Sequence, residues 1–233
     1  MKLAICLAGG GAKGAAHIGV LKAIEEANIK YDYIAGASSG SIVASLRAMG
    51  YTPDEIYELF KKYCKKIKHV DFKNVLKLLM GMVLKRSIII DGLNSGETIE
   101  KVINEAASKK GISNLNQIKN NLLIPSVELN TGMLYMFSSI NNREIYSDEI
   151  KYIYDINIGK AVRASCSYPG VFSPCVFDDD ELIDGGIREN IPWKEAKANG
   201  ADKVFCVKFE NKKKAKCRKN IIDVLTGSID ILC

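Results

Sequence analysis

The chain has 233 residues, which is enough for one α/β domain with a full hydrophobic core and short for two. Hydrophobic residues make up 47% of the sequence and charged residues 26%, and these values exclude a wholly disordered chain. No apolar run approaches the ~18 residues of a membrane span. The net charge of +6 indicates a basic protein.

Apolar runs of strand length alternate with segments of helical period along the chain. The strand KLAICLA is followed by a helix from Gly14 to Ile29, and the strand YDYIAGAS by the helix SGSIVASLRAMG. Thr52 and Glu55, with Pro53 between them, predict a capping box for a helix through ELFKKYCKKIK. Further on, the sequence predicts the strands LLIPSVEL and LYMFSS, the helix IGKAVRASCS, the short strands CVF and ELI, the helix WKEAKANG and the strand KVFCVKF. This alternation predicts a mainly parallel sheet covered on both faces.

The domain organisation follows from the absence of internal repeats and of low-complexity linkers. We predict one domain over residues 1–233, with residues 51–95 as a helical basic insertion on it. Apolar residues at 221/222, 225, 229 and 232 predict an amphipathic helix that stops without a cap at Cys233. That position is either the end of the protein or the edge of a truncated piece, and both remain open.

Seven cysteines are scattered along the chain, with no C-x-x-C pair, which indicates reduced thiols in a cytoplasmic protein rather than a disulfide framework. The opening MKLAICLA imitates a signal peptide, but its apolar run is too short and meets a glycine-rich turn at once. We therefore interpret it as a buried first strand. Two histidines and no clustered cysteines argue against a zinc site, and we expect no metal.

Positive charge is concentrated in two segments. Residues 61–90 carry nine lysines and arginines against Asp71 alone, and residues 208–219 carry seven against Glu210. This asymmetry favours an anionic partner, either membrane or nucleic acid, or else marks two solvated faces. The lysine runs lack aromatic residues interleaved for base stacking, which argues against nucleic acid.

The first basic segment also has an apolar side. Tyr57, Phe60, Cys64 and Ile67 share one helical stripe, and the apolar run VLKLLMGMVL follows. A basic amphipathic stretch beside an apolar one is typical of a lid that rests on anionic lipid headgroups. It is equally typical of an ordinary covering helix, and the sequence leaves both interpretations open.

A glycine-rich turn joins the first strand to the first helix. Gly9, Gly11 and Gly14 fit G-x-G-x-x-G, the dinucleotide fingerprint, and the turn amides could surround either phosphates or an oxyanion. The acidic residue that binds ribose should end the second strand, whereas Asp32 begins it. A Walker P-loop is excluded because alanines stand where lysine and serine or threonine are required. A purely structural tight turn remains an alternative.

The sequence GASSG, from Gly36 to Gly40, fits G-x-S-x-G between a strand and a helix. This is the setting of a nucleophile elbow, in which the two glycines let strand and helix pass closely and Ser38 stands at the end of the strand. The alternative is a serine-rich helix cap, since Ser39 or Ser41 could cap the following helix.

An activated serine needs a base, and histidine is the usual one. Only His17 and His69 are present, so no histidine follows late in the chain, as a Ser-acid-His hydrolase requires. We interpret His17 as a surface or packing residue. The segment ELIDGGIRENIP offers Asp184 instead, at the end of a short strand and before Gly185 and Gly186. Burial would raise the basicity of this carboxylate, although a D-G-G hairpin turn is the simpler alternative.

Together these blocks resemble the patatin-like phospholipase family over nearly the whole chain. The matching blocks are the glycine-rich turn from Gly9 to Gly14, the G-x-S-x-G from Gly36 to Gly40, ASCSYPGVFSP from Ala164 to Pro174, and Asp184 to Gly186 with its continuation through Asn190 and Pro192. The resemblance implies a three-layer α/β/α sandwich around a mainly parallel sheet, a Ser-Asp dyad without histidine, and no cofactor or metal.

The same resemblance implies the roles of the site residues. Ser38 is then the nucleophile and Asp184 the base, and the oxyanion hole is formed by the amides of Gly10, Gly11 and Ala12. Lys13 adds a positive charge beside that hole, where it could meet a lipid phosphate or form a structural salt bridge.

The function we expect is a serine lipid acyl hydrolase, of the phospholipase A or lysophospholipase type, that acts on phospholipid or other fatty acyl esters. We expect it in the cytoplasm, with peripheral contact to an anionic membrane as a further hypothesis. Two alternatives remain: a dinucleotide-binding oxidoreductase, and a non-catalytic lipid-binding protein of the same fold.

Overall fold

The computed structural model describes residues 1–67, 92–141 and 148–210. The predicted basic insertion beyond residue 67, His69 and the predicted helix over residues 221–233 lie outside these ranges.

The strands of the described chain are β1 (Leu3–Leu7), β2 (Tyr33–Gly36), β3 (Gly92–Asn94), β4 (Asn121–Glu128), β5 (Leu134–Ser138), β6 (Ile150–Ile153), β7 (Gly170–Phe172), β8 (Cys175–Phe177), β9 (Asp180–Asp184) and β10 (Lys203–Val207). The α-helices are α1 (Ala16–Glu26), α2 (Ser39–Ala48), α3 (Pro53–Ile67), α4 (Glu97–Lys109), α5 (Ile158–Ser165) and α6 (Trp193–Ala198). Short 3₁₀ turns span Gly11–Ala15, Leu115–Gln117 and Gly185–Ile187.

The main sheet has the strand order β10-β1-β2-β4-β5-β6. The pairs from β10 to β4 are parallel, β4 and β5 are antiparallel, and β5 and β6 are again parallel. Strand β9 pairs with β4 and with β8, both antiparallel. The sheet is therefore mixed but mostly parallel, which confirms the predicted α/β class.

Helices cover both faces of this sheet. Successive residues of β1 point to opposite sides, so Ile5 and Leu7 join the larger core with helices α1 to α5, whereas Ala4 and Cys6 join a smaller core with Ala196 of α6. Because both faces of β1 are buried, its sequence is continuously apolar rather than alternating. The arrangement is the expected three-layer α/β/α sandwich.

The capping box before α3 is confirmed. The Thr52 amide donates to the Glu55 carboxylate at 2.7 Å, and the Glu55 amide donates to the Thr52 hydroxyl at 3.3 Å. The first predicted helix begins later than expected: a 3₁₀ turn over Gly11–Ala15 precedes α1, because the glycine-rich turn continues to that point.

Helix α4 and the short strands β3, β6 and β7 were not predicted from the sequence. The apolar face of α4 comprises Ile99, Ile103, Ala106 and Ala107, a helical spacing in which two of the four members are small alanines. Strands β3, β6 and β7 have only three or four residues each, too few to produce a periodic signal.

Helix α4 is important for the site because it supports α5. Gly159 of α5 lies so close to α4 that a Cβ there would be 2.5 Å from the Glu100 carbonyl oxygen. Arg163 and Glu100 form a partly buried ion pair at 3.2 Å between the same two helices. These contacts hold α5 in place, and Ser165, the last residue of α5, accepts a hydrogen bond from the amide of Ser38 just beyond β2.

Two strands pair with the same edge of β4: β2 runs parallel to it and β9 antiparallel. The first three residues of β4 pair with β2, through Ala35 with Leu123, and its last three pair with β9, through Ser126 with Asp184. Strand β5 occupies the other edge of β4. Strands β2 and β9 therefore lie end to end along one edge, with their carboxyl ends directed toward each other.

Candidate active site

Ser38 lies in a sharp turn between β2 and α2. Its backbone has φ +49° and ψ −124°, a conformation that non-glycine residues rarely adopt. The flanking glycines allow this turn: a Cβ at Gly36 would lie 2.4 Å from the Gly40 carbonyl oxygen, and a Cβ at Gly40 would lie 2.3 Å from the Leu7 carbonyl oxygen. Any side chain at either position would therefore separate α2 from the strands.

Hydrogen bonds hold the strained backbone of Ser38 in place. Its amide donates to the hydroxyl oxygen of Ser165 at 3.0 Å, across 127 positions of the chain. Its carbonyl accepts hydrogen bonds from the Ser41 amide at 2.9 Å and the Ser41 hydroxyl at 2.6 Å. The side chain of Ser38 is consequently presented at the amino end of α2 by a backbone that has partners on both sides.

Asp184 ends β9 and is 1% exposed. Its amide donates to the Ser167 carbonyl at 3.0 Å, and its Oδ1 accepts a hydrogen bond from the Gly186 amide at 2.8 Å. Among the described residues, its Oδ2 has no hydrogen-bond partner. Burial raises the pKa of this carboxyl from its ordinary value of 3.8 to about 6, although the Ser38 hydroxyl and the Gly186 amide act in the opposite direction.

The structure thus brings Ser38 and Asp184 together. The hydroxyl of Ser38 is near enough to lower the pKa of the Asp184 carboxyl as a hydrogen-bonding group, although no contact of Oδ2 with a described donor has regular hydrogen-bond geometry. Catalytic hydrogen bonds are often long without substrate and shorten when it binds. The arrangement is chemically that of a hydroxyl beside a desolvated carboxylate able to accept its proton.

The glycine-rich turn lies against the same serine. A Cβ at Gly9 would be 3.1 Å from the Cβ of Ser38, and a Cβ at Gly14 would be 2.6 Å from the Cβ of Ser39. Gly11 has φ +57°, a conformation that favours glycine. A side chain at Gly14 would therefore displace α2, and one at Gly9 would press against Ser38.

The amides of this turn are arranged as at a helix start. The Lys13 amide donates to the Gly10 carbonyl at 3.2 Å, so the amides of Gly10, Gly11 and Ala12 precede the first helical hydrogen bond. The side chains of Ala12 and Lys13 are exposed. Such a group of leading amides can surround a negative charge.

The remaining residues of the predicted constellation lie at the turn after β9. A Cβ at Gly185 would be 2.2 Å from the Pro125 carbonyl oxygen, so the backbone passes directly against β4. Gly186 donates its amide to Asp184. These contacts explain why two glycines follow the carboxylate.

His17 is buried beneath the glycine-rich turn rather than on the surface. Its Nε2 donates to the Ala8 carbonyl at 2.7 Å, and its ring centre lies 4.6 Å from that of Phe209. Burial lowers the pKa of the imidazole, which favours the neutral form. His17 is therefore a packing residue. The groups that face each other in the candidate site are the Ser38 hydroxyl and the Asp184 carboxylate.

Sequence reasoning missed the roles of Ser165, Ser167 and Asn190. All three lie in blocks already quoted for the family resemblance, but nothing in the residue types predicted their hydrogen bonds to Ser38, Asp184 and Gly9. Such contacts depend on how distant segments meet, so a local motif carries no signal for them.

Within residues 1–67, 92–141 and 148–210, no group of three or more His, Cys, Asp or Glu side chains could hold a metal ion. Over that same part of the chain, no helix combines the length and apolar character needed to cross a membrane.

The family model of the patatin-like phospholipases matches residues 5–197. The chain is 29% identical over 228 residues to the Bacillus subtilis protein YqhO, described as uncharacterized, and covers 73% of it with 91% of its own length. It is 28% identical over 210 residues to the Yarrowia lipolytica lysophospholipase NTE1, with 88% of this chain matched to only 12% of that protein.

Among solved structures, the chain is similar to VipD from Legionella pneumophila. The TM-score is 0.57 at 18% sequence identity, and the likeness covers 91% of this chain and 51% of VipD. At this identity the likeness shows a shared fold. From the family match over most of its length, the chain belongs to the patatin-like phospholipase family.

Proposed function

We propose that this protein is a serine lipid acyl hydrolase of the phospholipase A or lysophospholipase type, with Ser38 as nucleophile and Asp184 as base. The observation that carries the proposal is the convergence of three features. A strained serine elbow, a buried carboxylate with a raised pKa and a turn of leading amides lie beside one another. Membership of the patatin-like phospholipase family and the likeness to a lysophospholipase support lipid esters as the substrate class.

In the proposed mechanism, the Ser38 hydroxyl attacks the ester carbonyl while Asp184 accepts its proton. An ordinary aspartate, with a pKa near 4, is a weak base toward a hydroxyl. The pKa of about 6 makes Asp184 a stronger base and still leaves it mostly ionised at pH 7. Its Oδ2, which accepts no regular hydrogen bond from the described residues, is available to receive the proton.

The tetrahedral oxyanion would be held by the amides of Gly10, Gly11 and Ala12. Loss of one such donor typically costs about 3 kcal/mol of transition-state stabilisation, because the donors are already oriented before the reaction. Asp184 then gives the proton to the leaving oxygen, and departure of the alcohol leaves an acyl ester on Ser38 and an ionised Asp184. Water activated by Asp184 then releases the fatty acid and restores the hydroxyl.

The dinucleotide-binding alternative has a specific observation against it. Asp32, the only nearby acid with roughly the required spacing, accepts a hydrogen bond from the Leu3 amide at 2.9 Å. Leu3 begins β1, whereas the glycine-rich turn follows the carboxyl end of β1. Asp32 therefore lies at the amino ends of the parallel strands, at the opposite end from that turn. It is therefore unsuited to bind a ribose beside those glycines.

We also propose that residues 1–233 form one hydrolase domain and that the basic stretch within 51–95 meets anionic lipid headgroups. Its described part is α3, where the exposed Lys61 and Lys62 begin the lysine-rich run and Tyr57 is 54% exposed. Lysines beside exposed aromatic and apolar side chains are typical of surfaces that bind lipid interfaces.

The nucleophile assignment predicts selective labelling. A fluorophosphonate probe, which reacts with activated serines, should label the wild-type protein, and Ser38→Ala should abolish both labelling and ester turnover. Ser108→Ala removes an exposed serine of α4 and should leave both unchanged. Labelling that persists in Ser38→Ala would contradict the assignment, and gel fluorescence with mass spectrometry measures it.

The base assignment predicts the acid limb of the pH-rate profile. Asp184 must be ionised to accept the proton, so kcat/KM should rise with pH through about 6 and level off above it. An ordinary aspartate would place this limb about two pH units lower. A kcat/KM that stays constant from about pH 5 to about pH 7 would exclude Asp184 as the base.

Stability should change in the opposite sense to activity. Because the folded pKa of Asp184 exceeds its ordinary value, the folded state binds the proton more tightly, and stability is lost as pH rises from about 4 to 6. Asp184→Asn removes the buried charge and should raise the free energy of unfolding at pH 7 by up to about 3 kcal/mol while abolishing turnover. The gain should disappear near pH 4. Chemical denaturation at both pH values tests this, and a destabilised variant at pH 7 would contradict it.

The membrane proposal predicts charge-dependent binding. The protein should sediment with phosphatidylglycerol-containing vesicles more than with pure phosphatidylcholine vesicles, and high salt should weaken the difference. Lys65→Gln with Lys66→Gln should reduce binding more than Lys109→Gln with Lys119→Gln, which removes equal charge elsewhere. Equal binding to both vesicle types would remove the proposed role of the lysines.

A further inference from the structure

Asn190 lies at the meeting point of the glycine-rich turn and the turn after β9. Its Oδ1 accepts a hydrogen bond from the Gly9 amide at 2.8 Å, across 181 positions of the chain. Its backbone carbonyl lies 3.4 Å from the same amide nitrogen and shares that hydrogen. Gly9 is thus held to the turn after β9 by both the side chain and the backbone of Asn190.

The same oxygen also borders the nucleophile. A Cβ built on Gly9 would lie 2.7 Å from Asn190 Oδ1 and 3.1 Å from the Cβ of Ser38. The asparagine side chain and the serine therefore flank Gly9 closely, and glycine is required there because a methyl group would collide with the amide oxygen.

Asn190 borders the carboxylate as well. A Cβ built on Gly186 would lie 3.2 Å from Asn190 Oδ1 and 3.0 Å from Asp184 Oδ1. The segment between Asp184 and Asn190 is compact, since the amides of Arg188 and Glu189 donate to the Gly185 carbonyl at 3.2 and 2.8 Å. The side chain of Asn190 is thereby carried on a hydrogen-bonded turn beside Asp184.

We propose that Asn190 is a positioning residue that fixes the distance between the oxyanion-binding amides and the Asp184 carboxylate. This inference rests on the hydrolase function proposed above. A glycine-rich turn has wide backbone freedom, and its amides stabilise an oxyanion only when they are oriented in advance. The bond from Gly9 to Asn190 restricts this freedom at the residue just before the amides of Gly10, Gly11 and Ala12. Neutrality of the amide side chain is part of the role, because a second carboxylate here would raise the pKa of Asp184 further.

Two substitutions distinguish a role in orienting the catalytic groups from a role in stabilising the fold alone. Asn190→Ala removes the acceptor, and kcat should fall on the order of 10- to 100-fold with KM nearly unchanged, as for a misplaced catalytic group. Asn190→Asp keeps an acceptor for Gly9, so its kcat should exceed that of Asn190→Ala at high pH. Its acid limb should lie above that of the wild type, because the added charge faces Asp184.

Asn121→Ala is the matched control. Asn121 donates from Nδ2 to the Asp32 carbonyl at 2.9 Å. This side-chain bond joins the start of β4 to the residue before β2, at the amino ends of the parallel strands and away from the site. This variant should keep wild-type kcat and pH dependence. Thermal unfolding of every variant confirms that the comparison is made between folded proteins.

Amide hydrogen exchange tests the contact without relying on activity. In the wild-type protein the Gly9 amide should exchange slowly, and Asn190→Ala should speed its exchange while the core of β1 stays protected. A folded Asn190→Ala protein with wild-type kcat, or an Asn190→Asp protein no more active than Asn190→Ala at any pH, would overturn the inference.

If Asn190→Ala does not fold, the shifted acid limb of Asn190→Asp and its slow Gly9 exchange decide the question. A wild-type protein that is neither labelled nor active would instead refute the hydrolase function, with the Gly9 exchange still reporting on the contact.

Discussion

Strand β4 is longer than β2, and the part of its edge that β2 leaves unpaired is taken by β9 running in the opposite direction. A strand has only two edges, and β5 occupies the other one, so the ends of β2 and β9 must meet. Ser38 follows one of these ends and Asp184 forms the other. The proximity of the proposed nucleophile and base is therefore a consequence of sheet register, and it requires no long flexible loop.

The site concentrates features that reduce stability. Ser38 has a positive φ, and Asp184 is buried with one oxygen lacking a hydrogen-bond partner among the described residues. A buried carboxylate prefers to be protonated, which is the same property that makes it a better base. The amides of Ser38 and Asp184 donate to Ser165 and Ser167 and hold these unfavourable groups in place, and Asn190 accepts from the neighbouring Gly9 amide. Strain and desolvation of this kind persist only where neighbouring contacts determine the geometry.

Much of the fold and the candidate site could be predicted from local pattern. The alternation of apolar strands and helical segments predicted the parallel part of the sheet, and the glycines around Ser38 predicted a sharp strand-to-helix turn. Helix α4 was missed because alanines form half of its buried face. The antiparallel pairing of β9 with β4 was missed because short strands do not specify their partners. The bond between Gly9 and Asn190 joins residues whose closeness in space has no local signal.

The sequence by itself determined which chemistry was available: a G-x-S-x-G motif at the end of a strand, no late histidine, and an aspartate before two glycines. These are short-range properties, set by backbone sterics and by the residue types present. Only the tertiary structure decided that Asp184 is desolvated, that the glycine-rich turn lies against Ser38, and that Asn190 connects that turn to the carboxylate's own turn. Burial and register arise from contacts between residues far apart in the chain, from 58 positions for Ser126 and Asp184 to 181 for Gly9 and Asn190, and those contacts exist only once the sheet has formed.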